Sequence, residues 1–177
     1  MSSARPRGWP IDSMNSWDIL FLLVVIGLGL FGYVIAFGAP YLPTLKPQIS
    51  QALKLIDLKP GQKLYELGSG DGRVVLAAAR AGMTVTGYEL NPILVLLANY
   101  RLRRYPNANV KLSNFWKVNL ADADGIFVFL LPKYMTKLDN KIIHDCRKPV
   151  KLVSFAFEIT TRKPTRTANG LFRYDYS

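Results

Sequence analysis

The stretch Leu64–Val74, LYELGSGDGRV, decides the fold. It reads as a strand that ends in a turn carrying Gly68, Gly70 and Gly72 and then opens a helix. Glycines let a backbone turn tightly and approach a ligand without a Cβ in the way. In open α/β sheets, ligands bind at the carboxyl ends of the strands, where the topology switches. A dinucleotide turn requires G-x-G-x-x-G, with a pyrophosphate seated on the helix N-terminus. Counted from Gly68, its third glycine would stand at position 73, which is Arg73. No G-K-[ST] follows the turn, which excludes a P-loop. Glu66 ends the strand and Asp71 lies inside the turn. Two carboxylates so placed repel a pyrophosphate and suit a cationic ligand.

S-adenosyl-L-methionine carries an ammonium and a sulfonium and no phosphate, so it is the cofactor expected here. Glu66, Gly68, Ser69, Gly70 and Asp71 supply the turn that would face it. A second acid, Glu89, ends the next strand in TVTGYELNP, with Asn91 two residues on. An acid at that place accepts hydrogen bonds from ribose hydroxyls in nucleotide-binding sheets. Read alone, Glu89 is equally a carboxylate stabilising a helix start. The ordered set of glycine turn, Glu66 and Glu89 favours the ligand. A third strand ends at Ser113-Asn114-Phe115-Trp116, where an adenine ring would lie. Asn114 would accept from its exocyclic amine and Phe115 or Trp116 would pack against it.

Around this motif strands and helical stretches alternate. Strands are predicted at 63–66, 84–89, 110–113, 125–131 and 151–157. Helices are predicted at 72–81, 92–104 and 136–146. Such alternation implies crossover units and a parallel sheet with helices on both faces. The tail 170–176 alternates Phe172, Tyr174 and Tyr176 and is expected to add an antiparallel edge strand. The fold class is therefore α/β, a Rossmann-like, mostly parallel sheet.

Ahead of this domain, Ile19 to Phe37 carries no charged side chain. A helix needs about 20 apolar residues to cross a bilayer, so a transmembrane anchor is expected over 19–42. Trp17 and Tyr41 flank it as interfacial aromatics would. The expected organisation is a tail over 1–18, the anchor, an amphipathic linker helix within 43–60 and a catalytic domain over 61–177. In the linker, Ile49, Leu53 and Ile56 recur at helical spacing. Charges on the two sides of the span are nearly balanced and do not fix its orientation. The cofactor does, because S-adenosylmethionine is intracellular. The domain should face the cytoplasm, with a bacterial inner membrane favoured over a mitochondrial one.

The chain has 177 residues, with 23 Lys and Arg against 12 Asp and Glu, a net charge of +11. Such an excess usually marks an anionic partner, either nucleic acid or an acidic lipid surface, the alternative being a basic surface kept for solubility. One cysteine, Cys146, and one histidine, His144, leave no disulfide, no zinc cluster and no histidine-based triad. No metal is expected.

ELGSGDGR, GYELNP and NFWKVNL, preceded by an apolar anchor, resemble a family of small class I methyltransferases. It includes the mitochondrial lysine methyltransferases of the ATP synthase c-subunit and of the adenine nucleotide translocase, with bacterial relatives. The resemblance implies a seven-stranded sheet whose last strands are antiparallel. It also implies that Glu66, Gly68 and Gly70 hold the methionine part, Glu89 the ribose, and Asn114 with Phe115 the adenine. The family usually has Asp where this chain has Asn114. The expected activity is methyl transfer to a lysine of a membrane protein. After the fourth strand comes Leu131-Pro132-Lys133-Tyr134, not the Asn/Asp-Pro-Pro-Tyr of base and amide methyltransferases. That disfavours nucleic acid. Tyr134 and Glu158 are the candidates for orienting the acceptor. Open alternatives are an RNA, small-molecule or lipid methyltransferase and a non-catalytic cofactor-binding component of a membrane complex.

Overall fold

A computed structural model describes residues 15–37 and 44–177. The chain forms two units, divided between Gly38 and Ala39. In the first, helix α1 spans Ser16–Phe37. Asn15 starts it. Its Oδ1 accepts from the N–H groups of Trp17 and Asp18, while the Asn15 N–H donates to Asp18 Oδ2. This reciprocal pair satisfies donors the first turn would leave open. Apolar side chains from Ile19 to Ile26 are exposed around the helix. Among the described residues, no helix is long and apolar enough to cross a membrane. Residues 38–42 of the expected span, and most of the expected tail, lie outside the described residues.

The second unit is a seven-stranded sheet flanked by helices. In chain order it comprises α2 (Lys46–Ile56), β1 (Lys63–Leu67), α3 (Arg73–Arg80), β2 (Thr84–Glu89), α4 (Pro92–Leu102), β3 (Ala108–Leu112), β4 (Gly125–Val128), α5 (Met135–Asp145), β5 (Val150–Phe155), β6 (Arg166–Ala168) and β7 (Leu171–Tyr176). The strand order is β3-β2-β1-β4-β5-β7-β6. Strands β1 to β5 are mutually parallel, and β7 runs against β5 and β6. This is the mostly parallel sheet with antiparallel last strands that the sequence predicts.

The expected edge strand is not at the edge. The tail strand β7 lies inside the sheet, and β6 forms the edge. Asn169 and Gly170, both at positive φ (47° and 76°), make a two-residue hairpin turn that lays β6 beside β7. Asn-Gly is the strongest short-range hairpin signal in a sequence. Two strands also end earlier than expected. After Val128 the chain leaves the sheet and Pro132–Tyr134 forms a 3-10 turn. After Phe155 comes Ala156 at φ 69°, a left-handed conformation that breaks the strand.

Two cores lie on opposite sides of the sheet. One joins Ile49, Ala52 and Ile56 of α2 with Val74, Val75 and Ala78 of α3 and Ala98 and Leu102 of α4. The other joins Leu138 and Ile142 of α5 with Ile126, Val128, Leu152 and Tyr174. The apolar stripe of α2 is thus turned onto the sheet. Its end presses on Gly125, where a Cβ would come 2.6 Å from Leu58 and 2.9 Å from Ile56.

The glycine turn is fixed by similar contacts. Gly72 sits at φ 75°, and a Cβ there would lie 2.8 Å from Ala98 Cβ. Both strain and overlap oppose a side chain. Gly72→Ala is expected to destabilise the protein by about 1–3 kcal/mol. Denaturation of wild type and variant by chemical denaturant measures this, and equal midpoints would refute it.

Candidate functional site

The turn after β1, the end of β2 and the segments after β3, β4 and β5 all lie at the carboxyl edge of the parallel strands. The sheet order reverses between β1 and β4, which makes that edge the topological switch point.

Glu89 stands at its centre. Its Oε2 accepts from the Gly70 N–H at 2.8 Å. Its Oε1 accepts from the Leu90 and Asn91 N–H groups at 2.8 and 2.9 Å. The carboxylate is half-buried, and three bonds leave it spare lone pairs. Asn91 caps α4, its Oδ1 accepting from Ile93 and Leu94. Glu89 thus organises the helix start and keeps acceptor capacity at the strand end.

Glu66 is buried beneath the turn and accepts from the Val75 N–H at 3.1 Å. Burial pushes its carboxyl well above the usual range; the Val75 bond opposes this, and the charges of Asp71 and Glu89 add to it. Asp71 behaves oppositely. Burial would raise it, but hydrogen bonds and charge from Arg73 and Arg101 hold it well below the usual carboxylate range. Arg73 Nη2 lies 2.9 Å and Arg101 Nη1 2.6 Å from Asp71 Oδ2. The expectation of two free carboxylates facing a ligand is thus modified. Asp71 is turned to two guanidiniums, and Glu66 favours its neutral form.

Gly68 is exposed at φ 87°, and among the described residues nothing lies within 4 Å of where a Cβ would stand. Ser69 is buried against Gly87, and among the described residues its Oγ has no hydrogen-bond partner. Asn114 Oδ1 accepts from the Trp116 N–H at 3.0 Å and caps the short 3-10 turn Phe115–Lys117. Phe115 is nearly buried and meets the Trp116 ring at 4.7 Å between centroids. Trp116 in turn lies 6.1 Å from the Tyr134 ring. Glu158 is exposed on the segment after β5.

Two residues escaped the sequence reading. Phe129 and Phe157 stack at 6.4 Å, with Phe155 edge-on to Phe129 at 4.9 Å. The strain at Ala156 turns Phe157 back toward Phe129, and Ser154 Oγ donates to the Phe157 carbonyl at 2.6 Å. The Phe-x-Phe spacing read as a continuing strand, so nothing signalled the break. The segment is pinned further on. Ile159 N–H donates to the Tyr174 hydroxyl, and Asp139 accepts from Thr161, Arg162 and the Tyr176 hydroxyl.

These features fit a cationic nucleoside. An orphaned buried hydroxyl, an open glycine and an oriented acid line one edge, and both arginines beside it are engaged by Asp71. Among the described residues, no group of three or more His, Cys, Asp or Glu is placed to hold a metal ion.

Comparison with known proteins agrees. The family model described as the ANTKMT methyltransferase domain matches residues 66–166. The lysine N-methyltransferase of the ATP synthase c-subunit from Homo sapiens is 34% identical over 191 residues, covering 97% of this chain and 82% of that protein. The adenine nucleotide translocase lysine N-methyltransferase of Mus musculus is 38% identical over 129 residues, covering 71% of this chain and 56% of that protein. Among solved structures, an RNA methyltransferase from Salinibacter ruber in complex with S-adenosyl-L-homocysteine superposes with a TM-score of 0.72 at 27% identity. The match covers 76% of this chain and 93% of that one.

The state of Glu66 is testable. A carboxyl raised on folding binds its proton more tightly in the folded chain than in the unfolded one. Its contribution to stability is full below the unfolded value, about 4.3, and is lost as pH rises toward the folded value. Glu66→Gln keeps an acceptor for Val75 and removes that loss. Thermal melts across pH should show a higher midpoint than wild type at neutral pH and a shallower decline above mild acid. Identical pH dependence in both proteins would exclude Glu66 as its source.

Proposed function

The chain belongs to the ANTKMT methyltransferase family, and from that membership we propose that it methylates a lysine of a membrane protein. The family is one of S-adenosylmethionine-dependent methyltransferases. The observation that carries the site assignment is Glu89, oriented by Gly70, Leu90 and Asn91 at the edge where the sheet order reverses.

In this reading Glu89 accepts from the ribose hydroxyls. Glu66, Gly68, Ser69 and Gly70 hold the methionine part, the Ser69 hydroxyl gaining its missing partner. Asp71 acts on the turn through Arg73 and Arg101. Asn91 supports Glu89 and the helix start, and Asn114 and Phe115 bound the adenine. The bound cofactor supplies a methyl group on a sulfonium, ready for in-line displacement. The chain's own residues align the acceptor and exclude water. A lysine must arrive neutral, against an ordinary pKa of about 10.4, and an apolar wall disfavours its ammonium. Two aromatic pairs offer such surface, Phe129 with Phe157 and Trp116 with Tyr134. Lys133 and Lys137 over the latter rings add positive charge that also opposes an arriving ammonium, and exposed Glu158 follows Phe157.

In this reading the apolar run at 19–42 anchors the chain in a bilayer, the tail 1–18 precedes it, and the linker within 43–60, whose helix α2 packs onto the sheet, leads to the catalytic domain over 61–177. Absence of charge between Ile19 and Phe37 supports the anchor. The domain faces the cytoplasm of a bacterial inner membrane or the equivalent side of a mitochondrial one. Tethering raises the effective concentration of membrane-bound acceptors. An RNA acceptor is the second reading, favoured by the net charge of +11 and the RNA-acting structural relative.

Tritiated methyl-donor labelling of membranes and of total RNA distinguishes the two. Label in a membrane protein, recovered as methyl-lysine, is expected. Label confined to RNA would overturn the lysine assignment. Glu89→Ala should weaken binding of S-adenosyl-L-homocysteine by at least about tenfold, as loss of charged hydrogen bonds implies. Unchanged binding by calorimetry would remove Glu89 from the site. Phe157→Ala should raise the KM for the acceptor with cofactor affinity unchanged. A matching loss of cofactor affinity would assign Phe157 to the fold instead.

A further inference from the structure

Helix α4 has two apolar faces, and the sheet uses only one. Ala98 and Leu102 are buried, and Val95 packs beside them. On the outside, Ile93, Leu96, Leu97 and Tyr100 are exposed, Leu96 by 74% and Tyr100 by 65%. Their spacing of i, i+3, i+4 and i+7 makes one continuous stripe. At 1.5 Å per residue the helix is about 16 Å long, enough for a contiguous patch. Contiguous apolar patches on a soluble surface mark interaction sites, whereas scattered single residues do not.

The chemistry around the stripe is one-sided. Between Glu89 and Asp122 the chain holds no acidic residue, but it holds Arg101, Arg103, Arg104, Lys111 and Lys117. Arg103 and Arg104 are exposed and extend the stripe one turn past the helix. The Arg103 guanidinium lies over the Tyr100 ring at 4.2 Å. Arg101 is bound to Asp71, so Arg103 and Arg104 are the charges that face outward. Apolar residues followed by tyrosine and arginines is the order of a surface helix that sinks into a bilayer. Tyrosine suits the headgroup level and arginines the phosphates.

We propose that the outer face of α4 docks on an anionic phospholipid bilayer, with Ile93, Leu96, Leu97 and Tyr100 buried among the lipids and Arg103 and Arg104 on their phosphates. The N-terminus of α4 is joined to Glu89 through Leu90 and Asn91. Docking therefore holds the carboxyl edge of the sheet at the lipid surface. This surface is separate from the apolar run at 19–42. It goes beyond the methyltransferase reading and does not depend on which acceptor is used.

The test uses the full chain reconstituted in vesicles, with Cys146→Ser removing the native thiol. A fluorophore is attached at Leu96→Cys or, on the opposite side of the sheet, at exposed Asn140→Cys. Nitroxide-bearing lipids report contact. Strong quenching at position 96 and little at 140 is expected in vesicles containing phosphatidylglycerol. Each base near an anionic surface contributes about fivefold to partitioning. Most of the quenching should therefore vanish in pure phosphatidylcholine vesicles and on Arg103→Glu with Arg104→Glu. Equal quenching at both positions, or quenching indifferent to lipid charge, would overturn the proposal. So would energy transfer between labelled copies in lipid-free detergent, which would make a second copy the occupant. The charge-reversed variant should still bind S-adenosyl-L-homocysteine with wild-type affinity by calorimetry. A variant that loses this binding as well shows that Arg103 and Arg104 serve the catalytic unit, which also overturns the proposal.

Discussion

The Glu89 carboxylate receives three backbone N–H groups that no strand or helix satisfies: that of Gly70 in the turn after β1, and those of Leu90 and Asn91 at the start of α4. Each would carry a penalty of about 1–3 kcal/mol if buried without a partner. One side chain thus ties together the ends of two neighbouring strands. Gly87 lets Ser69 lie flat on β2, and Gly72 lets α3 start against Ala98. The turn is tied to β2 by backbone as well, because the Gly68 and Ser69 N–H groups both donate to the Tyr88 carbonyl, so glycine at these two positions and the acid at position 89 act on the same turn.

Electrostatics divide the three acids of this region by environment. Glu89, half-buried with three donors, is the one poised to accept from a ligand. Asp71 is neutralised by Arg73 and Arg101 and clamps the turn to α4. Glu66, enclosed and accepting from the Val75 N–H, is pushed by burial toward its neutral form.

Most of the sheet was legible because its signals are local. Glycine turns, alternation of strand and helix, and acids at strand ends are all written in short windows. β1, β2 and the helices α3, α4 and α5 fall where periodicity puts them, within a residue or two. What escaped depends on partners distant in sequence. Val128 and Phe155 end their strands because the chain must leave the sheet there, although apolar residues continue past both. The left-handed Ala156 has no sequence signature, since alanine gives no reason to expect it. β6 was within reach, because Asn169-Gly170 announces its hairpin, but a three-residue strand has too little pattern of its own. The commitment of Asp71 to two arginines was likewise invisible, as Arg101 lies 30 positions away.

Every residue assigned to the cofactor lies on β1, β2, β3 or the turns that follow them, a continuous segment ending at Phe115. Every residue assigned to the acceptor wall, apart from Trp116, comes after Gly125. The two segments meet along the pairing of β1 with β4 and are joined by the short crossing at 121–124. In the proposed reading, donor recognition and target choice fall on opposite sides of this seam, and exchange of the segment after Gly125 between relatives would change the target while leaving the grip on the cofactor intact.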